Sequence, residues 1–338
     1  MSGAGSPGTI PAGEDPLGDP TGPAGRYAPS PSGDLHVGNL RTAILAWVFA
    51  RRSARRFVMR MEDLSRVREG AAERQLADLA ALGLTWDGPV MWQSEREGLY
   101  ADVVARLASG GLVYECYCTR REILEAPSAP HAPPGAYPGT CRDLTDHERR
   151  EGRAKVAALR REPALRLRAD VREYAVHDVF AGRTVGDVDD LVLRRGDGAW
   201  AYNLVAVVDD AASGVDQVVR GDDLLSSSPR QAYLIDTLAA AMPELWPGPP
   251  VRSASVEYAH VPLALNTEGA RLAKRDGAVT LRDRMERGES AADVVQRIGE
   301  SLGLPGCRSA TDVLERLDPA RMPKQPWIVD PDDWPGLT

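Results

Sequence analysis

Residues 26–39 read Arg-Tyr-Ala-Pro-Ser-Pro-Ser-Gly-Asp-Leu-His-Val-Gly-Asn. The first of these residues predict a short strand, and the two prolines that follow predict a rigid turn. His36-x-Gly38 then stands at the start of a predicted helix, Asn39–Arg52, where backbone N–H groups and the helix dipole favour an anion. The segment therefore predicts a strand, a phosphate-binding turn and a helix. Taken alone, it also fits an ordinary turn with a surface histidine.

Strands and helices alternate on both sides of a central interruption. The predicted strands are 57–61 and 215–220, and the predicted helices are 69–82, 202–212 and 228–241. This alternation predicts an α/β fold with a doubly wound parallel sheet. Residues 113–150 interrupt it with cysteine, proline and charge, and 165–193 resemble short alternating strands, so we expect an insertion within the sheet domain. After residue 263 the sequence predicts a loop and then short helices.

Composition excludes several classes of protein. The 338 residues are 43% hydrophobic and 27% charged, which suits a globular chain with a sizeable core and not a disordered or fibrous one. A net charge of −8 gives no bulk argument for nucleic-acid binding, so an RNA partner would have to meet a local patch. No secretory segment or apolar run of membrane length is visible. We expect a cytoplasmic protein without a membrane contact.

One such patch is an arginine run between residues 41 and 60. It contains no acidic residue and holds six arginines: Arg41, Arg51, Arg52, Arg55, Arg56 and Arg60. The run is a candidate RNA contact, although it equally fits the solvated face of a helix.

Three cysteines, Cys116, Cys118 and Cys141, lie within 26 residues of one another. In a reducing compartment this spacing favours a metal over a disulfide. Zinc prefers four ligands, and three thiolates leave one position open. The candidates for that position are His131, Tyr137 and His147. We predict a closed structural zinc site that stabilises a proline-rich insertion without core residues of its own, the alternative being a metal-free set of buried thiols.

Three later segments, together with 26–39, form a series of motifs along the chain. They are 57–63 (FVMRMED), the block 202–210 (YNLVAVVDD) with 219–231 (VRGDDLLSSSPRQ), and 271–277 (RLAKRDG). Together they resemble the class I aminoacyl-tRNA synthetases of the glutamyl branch: 26–39 is similar to their "HIGH" signature and 271–277 to their "KMSKS" loop. The resemblance covers residues 25 to about 280. It implies a Rossmann-like catalytic domain with a zinc-bearing insertion and a short C-terminal helical segment.

The resemblance also implies a reaction and a set of site residues. Glutamate would be activated by ATP with Mg²⁺, through electrostatic stabilisation of the transition state by His36 and Lys274. The residues implied for ATP are Pro29, His36, Gly38, Asn39 and Lys274. Those implied for glutamate are Arg26, Ser30, Glu62, Tyr202 and Arg220. Arginine suits a carboxylate because its fork is bidentate. In the short relatives a tyrosine completes the zinc site, which implies Cys116, Cys118, Tyr137 and Cys141 as ligands.

The length of the chain and two departures from the usual motifs bear on which members of the glutamyl branch it resembles. Residues 275–338 are too few for helical anticodon-reading domains, so the chain resembles the short branch that esterifies glutamate onto queuosine, the modified wobble base of tRNA(Asp). Ala273 replaces the usual serine of the loop, and Asn39 ends the first signature; we expect activity to survive both. The alternatives are a truncated glutamyl-tRNA synthetase charging tRNA(Glu), a catalytically silent RNA-binding paralogue and, less well supported, another nucleotidyltransferase.

The predicted organisation follows from these assignments, and we expect a monomer. The predicted ranges are a flexible tail 1–24, a first catalytic half 25–112, a zinc-bearing acceptor-end-type insertion 113–170, a second catalytic half 171–262, and a loop with a helical segment 263–338, with no anticodon-binding domain.

Overall fold

The computed structural model describes residues 21–125, 136–272 and 279–330. The chain divides into two units. The first comprises the residues up to Trp92 together with those from Val261 onward, and the second comprises Gln93–His260. Each unit contains parallel strands flanked by helices.

The described residues form the following helices and strands. The helices are α1 (Val37–Arg52), α2 (Ala71–Ala81), α3 (Glu97–Ser109), α4 (Arg120–Glu125), α5 (Asp146–Ala158), α6 (Tyr202–Ala212), α7 (Ser228–Ala241), α8 (Leu281–Glu286), α9 (Ala291–Ser301) and α10 (Ala310–Arg316). The strands are β1 (Ala24–Tyr27), β2 (Arg56–Met61), β3 (Met91–Trp92), β4 (Val113–Cys116), β5 (Ala164–Leu167), β6 (Glu173–Asp178), β7 (Gly182–Asp187), β8 (Val192–Arg194), β9 (Val215–Gly221), β10 (Glu257–Val261), β11 (Ala264–Leu265) and β12 (Trp327–Ile328).

In the first unit, β2 pairs in parallel with β1 on one side and β3 on the other. Helices α1 and α2 make the two crossovers that parallel neighbours require. Twelve of the 16 residues of α1 are buried, so this helix is part of the core and not an amphipathic surface helix. It packs against α9, α10 and β11 from the C-terminal part of the chain.

The second unit contains two sheets. In the larger one β9, β10, β6 and β7 are neighbours in that order; β10 runs parallel to β6, and β6 and β7 form an antiparallel hairpin. Helix α7 packs against β6, β7 and α6. The smaller sheet is antiparallel, with β5 between β4 and β8. Strand β8 thus joins the insertion from outside the predicted range 113–170.

The observed bounds agree closely with the sequence pattern in several places. Helices α6 and α7 have the predicted bounds, and α1 begins two residues earlier than predicted because His36 is its N-cap. Helix α5 was missed. Only Val156 of its 13 residues is buried, so it carries no apolar stripe. No helix of the described ranges has the length and apolar character that a membrane span needs.

A buried carboxylate connects the start of the second unit to α6. The side chain of Asp209 is fully buried. It accepts hydrogen bonds from Gln93 Nε2 at 2.8 Å, Arg96 Nε at 2.7 Å and Tyr100 Oη at 2.9 Å. Because three donors converge on one carboxylate, loss of that carboxylate leaves all three without this acceptor.

We therefore expect Asp209→Ala to lower the free energy of unfolding by about 3 kcal/mol, since it removes the shared acceptor of a half-buried arginine and two buried neutral donors. Urea unfolding followed by circular dichroism measures this change. Asp102→Ala, an exposed aspartate on α3, is the matched control and should change stability little. Equal losses in the two variants would contradict the role given to Asp209.

Candidate functional site

In the first unit, the turn that follows β1 leads directly into α1. His36 is the N-cap of α1: its Nδ1 accepts the amide hydrogen of Asn39 at 3.2 Å, and the Asn39 side chain accepts the His36 amide hydrogen at 3.3 Å. Because Nδ1 is an acceptor, a neutral ring carries its proton on Nε2. The structure thus places a ring N–H donor at a helix N-terminus, as predicted, and gives Asn39 a capping role.

A glutamine that the sequence analysis missed holds this turn in place. Gln75 of α2 is 2% exposed, and its Nε2 donates to the carbonyl oxygens of Ser30 at 3.1 Å and Gly33 at 2.6 Å. Arg74 pairs with Asp34 at 2.6 Å. A polar residue on the apolar face of α2, between Ala72 and Leu79, is the signal that could have found Gln75.

Arg26, Ser30 and Glu62 lie in or just beyond the carboxyl ends of neighbouring parallel strands. Arg26 is a buried residue of β1, and Glu62 follows β2 directly. The Glu62 amide donates to the carbonyl oxygen of Pro29 at 3.0 Å, and its carboxylate is 3.3 Å from Nη2 of Arg60. In parallel sheets this edge is where ligands bind. The structure therefore gathers the predicted first-unit residues at one edge.

Gly38 has a packing role that the sequence did not predict, while its predicted role at the nucleotide stays a prediction. The sequence suggested that its missing side chain lets a base or phosphate approach the backbone. A Cβ at Gly38 would lie 2.7 Å from Cβ of Ala264 and 3.0 Å from the His36 ring. Close packing of α1 therefore requires this glycine.

The first turn of α1 also contacts the chain further along. The Val37 amide donates to the carbonyl oxygen of Val279 at 2.7 Å, and His36 forms an isolated bridge with Thr280. Together with the contact of Gly38 and Ala264, this ties both flanks of the "KMSKS"-like loop to α1. Lys274 and Ala273 themselves lie outside the described residues.

In the second unit, Arg220 lies on β9 and is 6% exposed. Its Nε donates to Nε2 of His260 at 3.0 Å, and its Nη2 donates to Oγ of Ser228 at 2.8 Å. His260 in turn lies 2.7 Å from Asp178. Arg220 is thus a buried, hydrogen-bonded group and not a surface arginine. Sequence analysis missed His260 and Asp178.

Tyr202 is the first residue of α6 and is 42% exposed. It borders a cavity of about 1060 Å³ within the second unit. Charged residues of both signs line the cavity, among them Arg120, Arg166, Arg230, Asp187 and Asp189. The cavity therefore lies beside Tyr202, which is predicted to bind glutamate, and it extends to the insertion.

The structure brings the predicted metal ligands together. The thiol sulfurs of Cys116, Cys118 and Cys141 all lie within 4.8 Å of one another, and those of Cys118 and Cys141 are 3.6 Å apart. Two thiolates on a tetrahedral zinc ion are about 3.8 Å apart for a Zn–S bond of about 2.3 Å. The spacing therefore fits a zinc ion and is far longer than a disulfide bond.

The hydroxyl group of Tyr137 lies beside this cluster. Its Oη is 3.4 Å from Sγ of Cys116 and accepts the amide hydrogen of Cys141 at 2.8 Å. The guanidinium of Arg166 lies over the tyrosine ring, 3.6 Å from its centroid. Burial raises the pKa of Tyr137, so its phenolate needs a cation such as zinc beside it. The residues present thus fit the predicted ion.

Two histidines were rival fourth ligands. His147 points to solvent: its side chain is 72% exposed and pairs with Glu151 on α5. His131 lies outside the described residues.

The surroundings of the cluster favour a thiolate. Hydrogen bonds from Cys118 and Cys141 lower the pKa of Cys116, and the nearby Arg166 lowers it further. A thiolate is the form that binds metal, so this cysteine is poised for ligation.

The prediction that the insertion lacks core residues is wrong. A buried apolar cluster underlies it, consisting of Tyr114, Cys116, Tyr117, Tyr137, Cys141 and Val156. Half of its members are predicted metal ligands, so the sequence pattern conceals the core: its residues are cysteine and tyrosine instead of leucine and isoleucine.

The arginine run does not form a single exposed face. Arg41 and Arg60 are buried, and Arg41 donates to the carbonyl oxygen of Pro262 at 2.6 Å. Arg51 pairs with Asp87 at 2.6 Å, and Arg56 donates to the carbonyl oxygen of Gly22. Because these four side chains serve different internal partners, they do not act together as one charged surface, and an RNA contact of the remaining exposed Arg52 stays a prediction.

Comparison with known proteins gives one family and a group of near relatives. The model of "tRNA synthetases class I (E and Q), catalytic domain" matches residues 24–299. The chain is 59% identical to "Glutamyl-Q tRNA(Asp) synthetase" of Nocardia farcinica over 308 residues, which are 91% of this chain and 93% of that protein. It is 49% identical to the protein of the same name from Cutibacterium acnes, over 83% of this chain and 76% of that one.

Two solved structures share the fold at 22% identity. They are a glutamate tRNA ligase from Elizabethkingia meningosepticum (TM-score 0.69, over 90% of this chain and 66% of that one) and the glutamate-tRNA synthetase of Elizabethkingia anophelis (TM-score 0.71, over 92% and 69%). Likeness at this level shows the fold alone. The predicted Rossmann-like α/β fold is thereby confirmed.

The contact between Gly38 and Ala264 can be tested by substitution. We expect Gly38→Ala to destabilise the protein by roughly 1 to 3 kcal/mol, because the added Cβ overpacks the first turn of α1. Thermal unfolding measures this loss.

Removing the opposing methyl group supplies the control. Ala264→Gly should restore part of the stability of Gly38→Ala, although the contact with His36 remains. Strict additivity of the two changes would argue against the contact.

Proposed function

The chain belongs to the class I tRNA synthetases of the glutamate and glutamine group, and on this basis we propose that it activates glutamate with ATP and transfers it to queuosine in tRNA(Asp). It is a ligase-type enzyme. The observation that carries the proposal is the position of His36 as the N-cap of α1. His36 belongs to the "HIGH"-like segment 26–39, which lies within the range that the family model matches.

The first step joins glutamate to AMP. A carboxylate oxygen of glutamate attacks the α-phosphorus of ATP, a P–O bond forms, and the bond to pyrophosphate breaks. Negative charge accumulates on the phosphates, so catalysis requires donors and cations that are already in place. We propose that His36 supplies an Nε2–H donor, that the α1 N-terminus adds backbone N–H groups, and that Lys274 supplies the cation.

The glutamate-binding set Arg26, Ser30, Glu62, Tyr202 and Arg220 rests on the resemblance and stays a prediction. Its chemistry suits the ligand, because two arginines match two carboxylates and Glu62 matches the ammonium group. Burial of Arg26 and Arg220 supports this assignment, since a charge–charge contact is stronger out of water.

The second step moves glutamate to RNA. A hydroxyl of the cyclopentenediol of queuosine attacks the carbonyl carbon of the adenylate, an ester forms, and AMP leaves. The cavity beside Tyr202 supports this step, because it extends from α6 to the insertion and has room for a nucleotide-sized group. We propose that the modified base enters there, and that the enzyme acts in the cytoplasm as a monomer.

We further propose that Cys116, Cys118, Tyr137 and Cys141 hold one structural zinc ion. The thiol spacing and the position of Tyr137 support this ligand set. The ion would cross-link β4 to the segment that precedes α5, and it would take no part in the chemistry.

Pyrophosphate exchange tests the activation step. With glutamate, ATP and Mg²⁺ but no RNA, the purified chain should exchange labelled pyrophosphate into ATP. Aspartate and glutamine in place of glutamate are the controls. Absence of glutamate-dependent exchange would refute the proposal and favour a silent RNA-binding paralogue.

Transfer of labelled glutamate to total tRNA identifies the acceptor. Label on tRNA(Asp) that is abolished by prior periodate oxidation of the queuosine diol would support the proposal. Label on tRNA(Glu) would instead identify a truncated glutamyl-tRNA synthetase.

Lys274→Ala separates catalysis from binding. We expect kcat for exchange to fall by about 10² to 10³, because one charged donor to the transition state is lost, while KM for glutamate changes little. Lys324→Ala, an exposed lysine near the C-terminus, is the control and should keep wild-type rates. Wild-type kcat in Lys274→Ala would show that the loop assignment is wrong.

Zinc content tests the ligand set. Metal analysis of the purified protein should find about one zinc per chain, and Cys116→Ser should lose it and unfold at a lower temperature. Tyr137→Phe should weaken zinc retention against a chelator, whereas His147→Ala should not. If His147→Ala weakened zinc retention and Tyr137→Phe did not, His147 would be the fourth ligand in place of Tyr137.

A further inference from the structure

We propose that His260 and Asp178 are positioning residues for glutamate: a neutral His260, held by Asp178, fixes the guanidinium of Arg220 in the orientation that accepts a carboxylate. This inference rests on the proposed function, since it needs Arg220 to contact glutamate. All three residues belong to the second unit and are at least 94% buried.

The geometry fixes the protonation of the histidine ring. Arg220 Nε always carries a hydrogen, and it points at Nε2 of His260 from 3.0 Å. Nε2 must therefore be the acceptor, and the ring hydrogen lies on Nδ1. An imidazolium would place two N–H groups face to face inside the protein. His260 is thus a neutral ring and not the cationic partner of an ion pair with Asp178.

Asp178 selects this tautomer. Its Oδ2 lies 2.7 Å from Nδ1 of His260 and accepts the His260 amide hydrogen at 2.9 Å, while its Oδ1 accepts the amide hydrogens of Phe180 and Ala181, each at 2.9 Å. Burial alone would raise the pKa of Asp178, but these hydrogen bonds outweigh it and lower the pKa. A carboxylate that already accepts three amide hydrogens and has a lowered pKa carries no proton to donate, so Nδ1 of the ring must be the donor.

A neutral acceptor is chemically significant here. A carboxylate in the place of His260 would orient the guanidinium and cancel its charge, whereas an imidazole nitrogen orients it without adding negative charge. Ser228, fully buried at the start of α7, holds Nη2 in the same way at 2.8 Å. Two neutral groups thus fix the plane of the fork, and bidentate binding of a carboxylate depends on that plane.

Two substitutions of similar size separate positioning from packing. His260→Gln offers an amide oxygen near the position of Nε2, and His260→Leu offers none. Both lose the ring contact with Asp178, so a purely structural role predicts similar kinetics for the two. We expect KM for glutamate in the exchange assay to rise by about tenfold to a hundredfold in His260→Leu. His260→Gln should recover most of that loss, and KM for ATP should stay constant.

Controls keep the outcomes distinct. His177→Leu, an exposed histidine on β6, should match the wild type. In an Arg220→Lys background, His260→Leu should add little to KM for glutamate, because its effect passes through the guanidinium. Equal KM for glutamate in His260→Leu and His260→Gln, beside a normal wild-type enzyme, would overturn this inference alone. A wild-type chain without glutamate-dependent exchange would overturn the proposed function and this inference with it.

Nuclear magnetic resonance of the wild-type protein gives a test that does not depend on the variants folding. Ring ¹⁵N shifts at neutral pH should show His260 as the neutral tautomer protonated on Nδ1. An imidazolium, or a ring protonated on Nε2 alone, would overturn the proposal.

Discussion

A guanidinium taken out of water needs hydrogen-bond acceptors within the protein, and this constraint shapes both units of the chain. Of the 41 basic residues only three are lysine, and several arginines are buried. Carbonyl oxygens accept from Arg41 and Arg166, and an imidazole nitrogen accepts from Arg220. The buried arginines therefore act as cross-links between distant segments: Arg41, for example, joins the first helix to residue 262. Loss of one acceptor would remove part of the hydrogen bonding that holds such a charge in the interior.

The sequence predicted what is local. The bounds of α7 could be placed because Pro229 stands in its first turn and an apolar pattern follows. Helix α5 has no such pattern, yet Thr145-x-x-Glu148 is a capping box that could have predicted its start. The partners of the site residues were out of reach for a different reason. Asp178 and His260 are 82 residues apart, and no local pattern connects them. Sequence supplies the functional groups, but tertiary packing selects their neighbours.

The arginine run and the insertion show that residue types can also suggest a role that tertiary packing then changes. Six positive charges within twenty residues suggested one surface, but helix and strand geometry directs several of them to internal partners such as Asp87 and Pro262. In the insertion, cysteine and tyrosine suggested ligands and no core, whereas the structure uses the same side chains for both purposes. A residue type alone does not say whether it packs, binds or does both.

The two attachments of the chain to the first turn of α1 make one helix start a shared anchor for two segments that are distant in sequence. The Val37 amide donates to the carbonyl oxygen of Val279, and the methyl group of Ala264 stands where a side chain at Gly38 would lie. The same turn carries His36, whose backbone bridges to Thr280. A displacement of this turn is therefore a displacement of three parts of the first unit at once, which couples the histidine ring to the chain on both sides of it.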